Sequence, residues 1–186
     1  MLILLPFWQR PLSQLTLSAN PFLVIIEGGE KPGNLGAILR TADAANVDAV
    51  LVCAADENKG TDIYNPNTIR ASLGAIFTVP TAVASTAEII AWMRAQNIQT
   101  AAATPDADEL YTAVDLTPPI AIVMGSEAFG LSDVWLRAAD KKIAIPMNGR
   151  LDSLNLSVAT ALILYEVVRQ SGTNQPSAPI TTKVEG

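Results

Sequence analysis

The sequence predicts an α/β protein in which helices cover both faces of a parallel sheet. Along residues 21–170, short apolar runs alternate with amphipathic segments, and this alternation is typical of repeated βαβ units. The apolar runs at 22–26 and 49–53 are continuous, as expected of strands that are buried on both faces. With 186 residues, the chain is long enough for one domain with a buried core.

Six strands are expected in this sheet. Five are predicted from apolar, β-prone runs at 22–26, 49–53, 76–79, 98–103 and 120–124. The sixth is a short run around Ile143 and Ile145. Pro146 ends that run, because a proline has no N–H to donate to a central ladder.

Helices are predicted between the strands from caps and apolar periodicity. They cover 35–45 with Asn34 as the cap, 66–72 with Pro66 in the first turn, 86–96 behind a capping box at Ser85 and Glu88, and a short segment that starts at Ser132. Residues 56–62 and 104–119 are predicted as a charged loop and a long acidic loop.

The last helix is expected to run to about Gln170, behind a polar loop. Ser153, Asn155 and Ser157 are side chains that can bond the free N–H groups at its start. Its apolar positions cover most of its circumference, which predicts a helix buried on nearly all sides. These positions are Leu156, Val158, Ala159, Leu162, Ile163, Tyr165 and Val167.

The two ends of the chain differ from this pattern. Residues 1–20 carry no periodicity and are interpreted as a leader or the remnant of a linker, before a domain at 21–170. The segment 171–186 is rich in Ser, Thr and Pro, a composition that predicts a disordered tail.

Composition excludes several classes of function. The chain has no histidine, so a Ser-His-Asp hydrolase, a histidine base and a His-ligated zinc site are excluded. Its single cysteine, Cys53, allows no disulfide framework and favours the reducing cytoplasm. No apolar run reaches the length of a membrane span, so no membrane is expected among its partners. A metal is not expected either.

Common nucleotide-binding patterns are also absent. The run from Gly125 to Gly130 has the glycine spacing of a phosphate loop, but Leu131 and Ser132 stand where a Lys-Ser/Thr pair is required. No G-x-G-x-x-G follows the first strand. A site for ATP, GTP or a dinucleotide is therefore not indicated.

Three polar clusters are candidates for a site: 34–40, 125–127 and 153–157. Taken alone, the first is explained as a capped helix with a solvated arginine, the second as a turn with a surface carboxylate, and the third as competing helix caps. All three, however, follow the carboxyl end of a predicted strand. Because parallel sheets gather ligands at that edge, together they predict one binding site.

At these residues the sequence resembles the SpoU/TrmH branch of the SPOUT RNA methyltransferases. The resemblance rests on three motifs in order: Asn34-x-Gly36-x-x-x-Arg40-Thr41-Ala42, then Gly125-x-Glu127-x-x-Gly130-Leu131-Ser132, then Ile145-Pro-Met147 followed by Ser153-Leu-Asn155-Leu-Ser157. It implies a deep carboxyl-terminal trefoil knot, a homodimer, and methyl transfer from S-adenosylmethionine to an RNA ribose 2′-hydroxyl. Many relatives carry an additional amino-terminal RNA-binding domain, whereas about twenty residues precede the first strand here.

The resemblance also implies roles for individual residues. Arg40 would be catalytic, Asn34 and Glu127 would orient Arg40 and the substrate, and Ser153 and Asn155 would organise the knot loop. The cofactor would be held near Thr104, Met124, Gly125, Ile145, Met147 and Leu154.

An arginine is a poor base, so Arg40 is expected to bind the ribose or its phosphate and stabilise the developing alkoxide. Ribosomal RNA is the expected substrate ahead of transfer RNA. The alternative is a non-catalytic module that binds a nucleoside or RNA as a regulator.

Overall fold

The computed structural model of the protein describes residues 10–28, 31–54 and 62–172. Most of the charged loop predicted at 56–62 and of the tail predicted at 171–186 lies outside the described residues.

Among the described residues, six strands form a single parallel sheet. They are β1 (Phe22–Glu27), β2 (Ala49–Cys53), β3 (Thr81–Ala84), β4 (Gln99–Ala103), β5 (Ile120–Met124) and β6 (Lys141–Ile143). Their order across the sheet is β3-β2-β1-β5-β4-β6, and every neighbouring pair is parallel. All six carboxyl ends therefore meet at one edge, as the prediction of a functional edge requires.

In the part of the chain that the structure describes, six α-helices accompany the sheet. They are α1 (Pro32–Ala44), α2 (Pro66–Ser72), α3 (Ala75–Thr78), α4 (Thr86–Ala95), α5 (Asp133–Ala138) and α6 (Leu156–Gln170). Alternate residues of the central strands enter two separate apolar clusters: Val24 and Ile26 pack with α1 and α6, whereas Leu23 and Ile25 pack with α4 and α5. The predicted sheet with helices on both faces is confirmed.

The strand predicted at 76–79 is wrong. Ala75–Thr78 is a helix, and the third strand is Thr81–Ala84. Leu73 and Gly74 both have positive φ, 51° and 96°, so the chain turns after α2 and starts a second short helix. Ala75 and Ile76 are buried from that helix, which shows that a short apolar run does not by itself distinguish strand from helix.

Two other boundaries differ from the prediction. Helix α1 begins at Pro32 rather than after Asn34, and Lys31 holds its cap position without a side-chain hydrogen bond to the first turn of the helix. A proline suits this first position because its missing N–H has no helical partner there. The sixth strand ends at Ile143, and Ile145 follows it outside the ladder.

The segment predicted as a leader includes residues that pack against the domain. Leu12–Gln14 forms a 3₁₀ turn, and Leu12, Leu15 and Leu17 lie against the apolar cluster beneath α4 and α5. Ser18 donates through its backbone N–H to the carboxylate of Asp48, at 2.7 Å. This part of 1–20 is therefore attached to the fold.

Helix α6 is not buried on nearly all sides. Ile163, Leu164 and Val167 are buried against α1 and the sheet. Val158, Leu162 and Tyr165 are 49%, 40% and 52% exposed, and their spacing places them together on the outer face. The chain therefore buries one face of α6 and leaves a second apolar face open.

Within the described residues, no helix combines the length and the apolar character needed to span a bilayer.

Candidate active site

A tight loop follows the central strand β5. The Ser126 N–H donates to the Gly130 carbonyl at 3.1 Å, and the Gly130 N–H donates to the Ser126 carbonyl at 2.9 Å. A Cβ on Gly125 would lie 2.2 Å from the Gly130 carbonyl carbon, closer than atoms can approach without a shift of the backbone. Glycine is therefore required at Gly125 for the loop to fold back on itself.

A cavity of about 210 Å³ opens beside this loop at the carboxyl edge of the sheet. Its lining includes all six residues predicted to hold the cofactor, and also Ser153 and Glu127. The lining residues that the sequence analysis did not assign to the cofactor site are Ala103, Pro105, Ser126, Gly130, Ile143, Asp152, Leu156 and Ala159. Most of these are apolar or contribute through their backbone, so no chemical pattern in the sequence identifies them.

The carboxylate of Glu127 is the centre of a hydrogen-bond network. Its Oε1 accepts from Asn155 Nδ2 at 2.6 Å, from the Leu156 N–H at 3.1 Å and from Asn34 Nδ2 at 3.2 Å. Asn155 Nδ2 also donates to Asn34 Oδ1 at 3.0 Å. One residue from each of the three motifs therefore meets at a single carboxylate.

Lys31 completes this network. Its ammonium forms an ion pair with Glu127 Oε2. The hydrogen bond from Lys31 and that from the Leu156 N–H lower the pKa of Glu127 from 4.5 to about 2. The carboxylate thus stays ionised at neutral pH, where it accepts hydrogen bonds and is too weak a base to remove a proton efficiently.

Asn155 also caps the last helix. Its Oδ1 accepts from the Ser157 N–H at 3.1 Å and from the Ser157 hydroxyl at 2.7 Å. The predicted competition among caps is thereby decided, because Asn155 holds the cap position of α6. One amide side chain therefore fixes both the start of α6 and the Glu127 network.

A second cavity, of about 240 Å³, is also bordered by Glu127. It is lined by Gly28, Lys31, Asn34, Ser126, Glu127, Ala128 and Leu156. Ser126, Glu127 and Leu156 line both cavities. The two cavities are therefore neighbours that share part of their lining, including Glu127.

Arg40 lies outside this arrangement. Its side chain is exposed, lines neither cavity, and makes no hydrogen bond or ion pair with any residue that the structure describes. Neither Asn34 nor Glu127 bonds Arg40 within one chain, and the expectation that they orient it stays a prediction. Arg40 follows Asn34 by six residues, which places it roughly 9 Å further along α1 and about 120° around it.

A second carboxylate, Glu27, holds the far end of the loop. It accepts from the Ser132 N–H at 2.7 Å and from the Ser132 hydroxyl at 2.8 Å. Thr86 at the start of α4 donates to it at 3.4 Å. Sequence reasoning missed Glu27 and the pairing of Lys31 with Glu127, because the partners lie 105 and 96 positions away along the chain.

The structure indicates neither a reactive cysteine nor a metal site in the described residues. Burial raises the pKa of the Cys53 thiol to about 11, so the thiol stays neutral and is a poor nucleophile at neutral pH. In the part of the chain that the structure describes, no three Cys, Asp or Glu side chains are grouped to hold a metal ion.

The chain belongs to the SpoU rRNA methylase family, which residues 21–165 match. Among curated relatives, it is 38% identical to the 23S rRNA (guanosine-2′-O-)-methyltransferase RlmB of Pectobacterium atrosepticum, over 82% of this chain and 61% of that protein. The chain thus spans about three fifths of the length of this relative.

Solved structures agree with this assignment. A crystal structure of an RNA 2′-O ribose methyltransferase is 45% identical, with a TM-score of 0.79, over 87% of this chain and 60% of the other. An AdoMet-bound rRNA methyltransferase from Sinorhizobium meliloti is 34% identical, with a TM-score of 0.80, over 87% and 61%. The SPOUT fold is confirmed. The trefoil knot stays a prediction, since strand order and helix packing do not trace the passage of the chain through a loop.

Proposed function

We propose that this chain transfers the methyl group of S-adenosylmethionine to a ribose 2′-hydroxyl of ribosomal RNA. One observation carries the proposal: the six residues expected to hold the cofactor line a single cavity, and that cavity shares Glu127 with a second one. Methyl transfer needs two reactants held in line. Two adjoining cavities with a common wall suit that requirement.

The first cavity fits the cofactor chemically. Ile143, Ile145 and Leu156 offer apolar surface to an adenine ring, and the Thr104 and Ser153 hydroxyls offer polar partners to a ribose. S-adenosylmethionine supplies an electrophilic methyl group on a sulfonium. In this proposal Thr104, Met124, Gly125, Ile145, Met147 and Leu154 hold the cofactor.

The second cavity is assigned to the acceptor ribose. Asn34 lines this cavity and is held by Glu127 and Asn155, and its second amide N–H can donate to a sugar hydroxyl that enters beside it. Glu127 acts by fixing the amides, since a carboxylate with a pKa of about 2 takes up few protons at neutral pH. Ser153 and Asn155 organise the loop before α6.

Arg40 remains our candidate for stabilising the alkoxide as the hydroxyl loses its proton. A guanidinium is always charged at physiological pH, so it can offset this negative charge without acting as a base. Because Arg40 lines neither cavity, RNA binding or a second copy of the chain has to bring it to the reacting ribose.

A homodimer is proposed from the open face of α6. Val158, Leu162 and Tyr165 form an exposed apolar stripe at helical spacing, and a contiguous apolar surface of this kind marks an interface. Light scattering at micromolar concentration should report twice the mass of one chain. A monomer at that concentration would remove this part of the proposal.

Ribosomal RNA is preferred because a relative at 38% identity is named as a 23S rRNA methyltransferase. A cytoplasmic location is proposed on the same ground, together with the single cysteine, which is buried and unpaired.

The test is to incubate the purified chain with methyl-labelled S-adenosylmethionine and unmodified 23S rRNA made by transcription, with unmodified transfer RNA in a parallel reaction. Label in 23S rRNA that maps to one ribose is the expected result. Label in transfer RNA alone would correct the substrate. Cofactor binding without label in either RNA would favour the non-catalytic module instead.

A further inference from the structure

Lys31 is the charged residue of the site that the proposed reaction leaves without a task. It is the last residue before α1, and its side chain reaches across to Glu127 on the loop after β5. The Lys31 side chain is 71% exposed, whereas that of Glu127 is 23% exposed. The ammonium is therefore anchored on its inner side and open to solvent on its outer side.

An ammonium group has three N–H donors. One of them bonds Glu127, and the others have no partner among the residues that the structure describes. Because the carboxylate fixes the ammonium, little side-chain entropy is lost when a further acceptor binds. Lys31 thus presents a positioned positive charge at the wall of the second cavity.

The surroundings favour an anion at this point. The amino-terminal end of α1, a helix of 13 residues, adds the positive end of its dipole beside Lys31. A side chain at Gly33 would meet nothing within 4 Å, so the approach over the first turn of α1 is open. Glu127 is the acidic residue in the lining of the cavity, and Lys31 pairs with it.

A ribose within RNA carries a phosphodiester on both its 5′ and its 3′ side. A ribose that enters the second cavity therefore brings a phosphate to the rim where Lys31 stands. We propose that Lys31 binds the RNA phosphate next to the acceptor ribose while Glu127 holds its ammonium in position. This inference rests on the proposed function, because that function places the acceptor in the second cavity.

A simpler role has to be distinguished from this one. Lys31 could serve only to neutralise Glu127, in which case its replacement would change the carboxylate and leave RNA affinity alone. The two roles differ in salt dependence, because each phosphate that a cation neutralises adds a fixed increment to the slope of binding against salt concentration.

The experiment measures binding of transcribed, unmodified 23S rRNA at several salt concentrations without cofactor. Lys31→Gln keeps a donor for Glu127 and removes the charge. Lys142→Gln, an exposed lysine of β6, is the matched control, and Lys31→Arg tests rescue. We expect Lys31→Gln to reduce the slope by about 0.7 to 0.9 and the affinity by about tenfold, with little change in Lys142→Gln and in Lys31→Arg.

Kinetics on the same RNA should separate binding from chemistry. Lys31→Gln should raise KM for RNA by about tenfold and leave kcat within about twofold, as expected when an interaction is equal in ground and transition states. An unchanged salt slope, or an equal loss in Lys142→Gln, would overturn the proposal. If the wild-type chain methylates no RNA, the proposed function fails, and the slopes still decide whether Lys31 contacts a phosphate.

Discussion

The two cavities at the carboxyl edge of the sheet are built in different ways. The first is shaped largely by backbone and apolar side chains, above all by the fold-back of the loop at Gly125. The second depends on polar side chains. Lys31, Asn34 and Asn155 all bond the carboxylate of Glu127. Cofactor binding should therefore be sensitive to backbone changes and tolerant of charge changes, whereas the acceptor side should behave in the opposite way.

The largest effect is expected from Gly125→Ala. The new Cβ would lie 2.2 Å from the Gly130 carbonyl carbon and 2.4 Å from the Leu131 nitrogen, so the loop has to open. We expect a loss of stability of about 1–3 kcal/mol and a fall in S-adenosylmethionine affinity of about 10²-fold or more. Calorimetry and urea unfolding measure the two.

Gly149→Ala is the control for that substitution. A Cβ at Gly149 would meet nothing within 4 Å, although the residue lies in the loop that leads to α6. Its cofactor affinity should match that of the wild type. Equal losses in both variants would mean that the first cavity depends on loop flexibility rather than on the fold-back at Gly125.

Arg40→Ala should have the next largest effect, and it should lower turnover without changing cofactor affinity. Turnover should fall by about 10²-fold or more, as for the loss of a well-placed charge in a transition state. Cofactor affinity should not change, since Arg40 does not line the first cavity. Arg94→Ala, on the opposite face of the sheet, is the matched control. Near wild-type turnover by Arg40→Ala would show that its proposed catalytic role is wrong.

Features that leave a local pattern in the sequence could be predicted from it. The strands β1, β2 and β5 are predicted well because a buried parallel strand needs a continuous apolar run. The six residues expected to hold the cofactor line one cavity, and the resemblance had fixed their order along the chain; their role in binding stays a prediction. The misassigned segment at 76–79 is a run of four, too short for periodicity to distinguish a helix from a strand.

Contacts between segments that are far apart in the sequence could not be predicted from it. The Glu127 network joins segments that come together only when the sheet has formed. Lys31 lay outside the recognised motif, and its partner is 96 positions away. For Arg40, the motif identified the residue as a candidate for catalysis. It did not predict that Arg40 would lie away from Asn34 and Glu127, its expected partners.

RNA binding by this chain alone should be weak. The positive charge on the acceptor side should be confined to a few residues near the second cavity. The chain has 18 acidic and 12 basic residues, a net charge of −6, so bulk electrostatics oppose RNA. Four basic residues, Lys31, Arg40, Arg70 and Arg150, lie in loops or helices that follow strands in the sequence, and we expect them to supply the positive charge near the site. Four phosphate contacts give a slope of about −3, so raising salt fourfold should weaken binding by less than about 10²-fold. Nanomolar affinity with a steeper slope would contradict this.

The smallest effect concerns pH and tests the core of the acceptor side. The pKa of Glu127 is lowered from 4.5 to about 2, chiefly by Lys31 and by the Leu156 N–H. A carboxyl whose pKa is lowered on folding stabilises the protein above its unfolded value, and this stabilisation is lost as the pH falls through the folded value. The contribution of Glu127 should therefore be constant at neutral pH and disappear between pH 4.5 and about 2.

Glu127→Gln isolates this contribution. Glu88, Asp115 and Glu166 also have lowered pKa values, so the acid unfolding of the wild type alone would mix several groups. The difference in unfolding free energy between the two proteins cancels the shared groups, and urea unfolding across the acid range measures it. The difference should stay level down to about pH 5 and then shrink. A difference that instead varies between about pH 6 and 8 would mean that a group other than Glu127 controls the network, because a carboxylate paired with Lys31 does not titrate there.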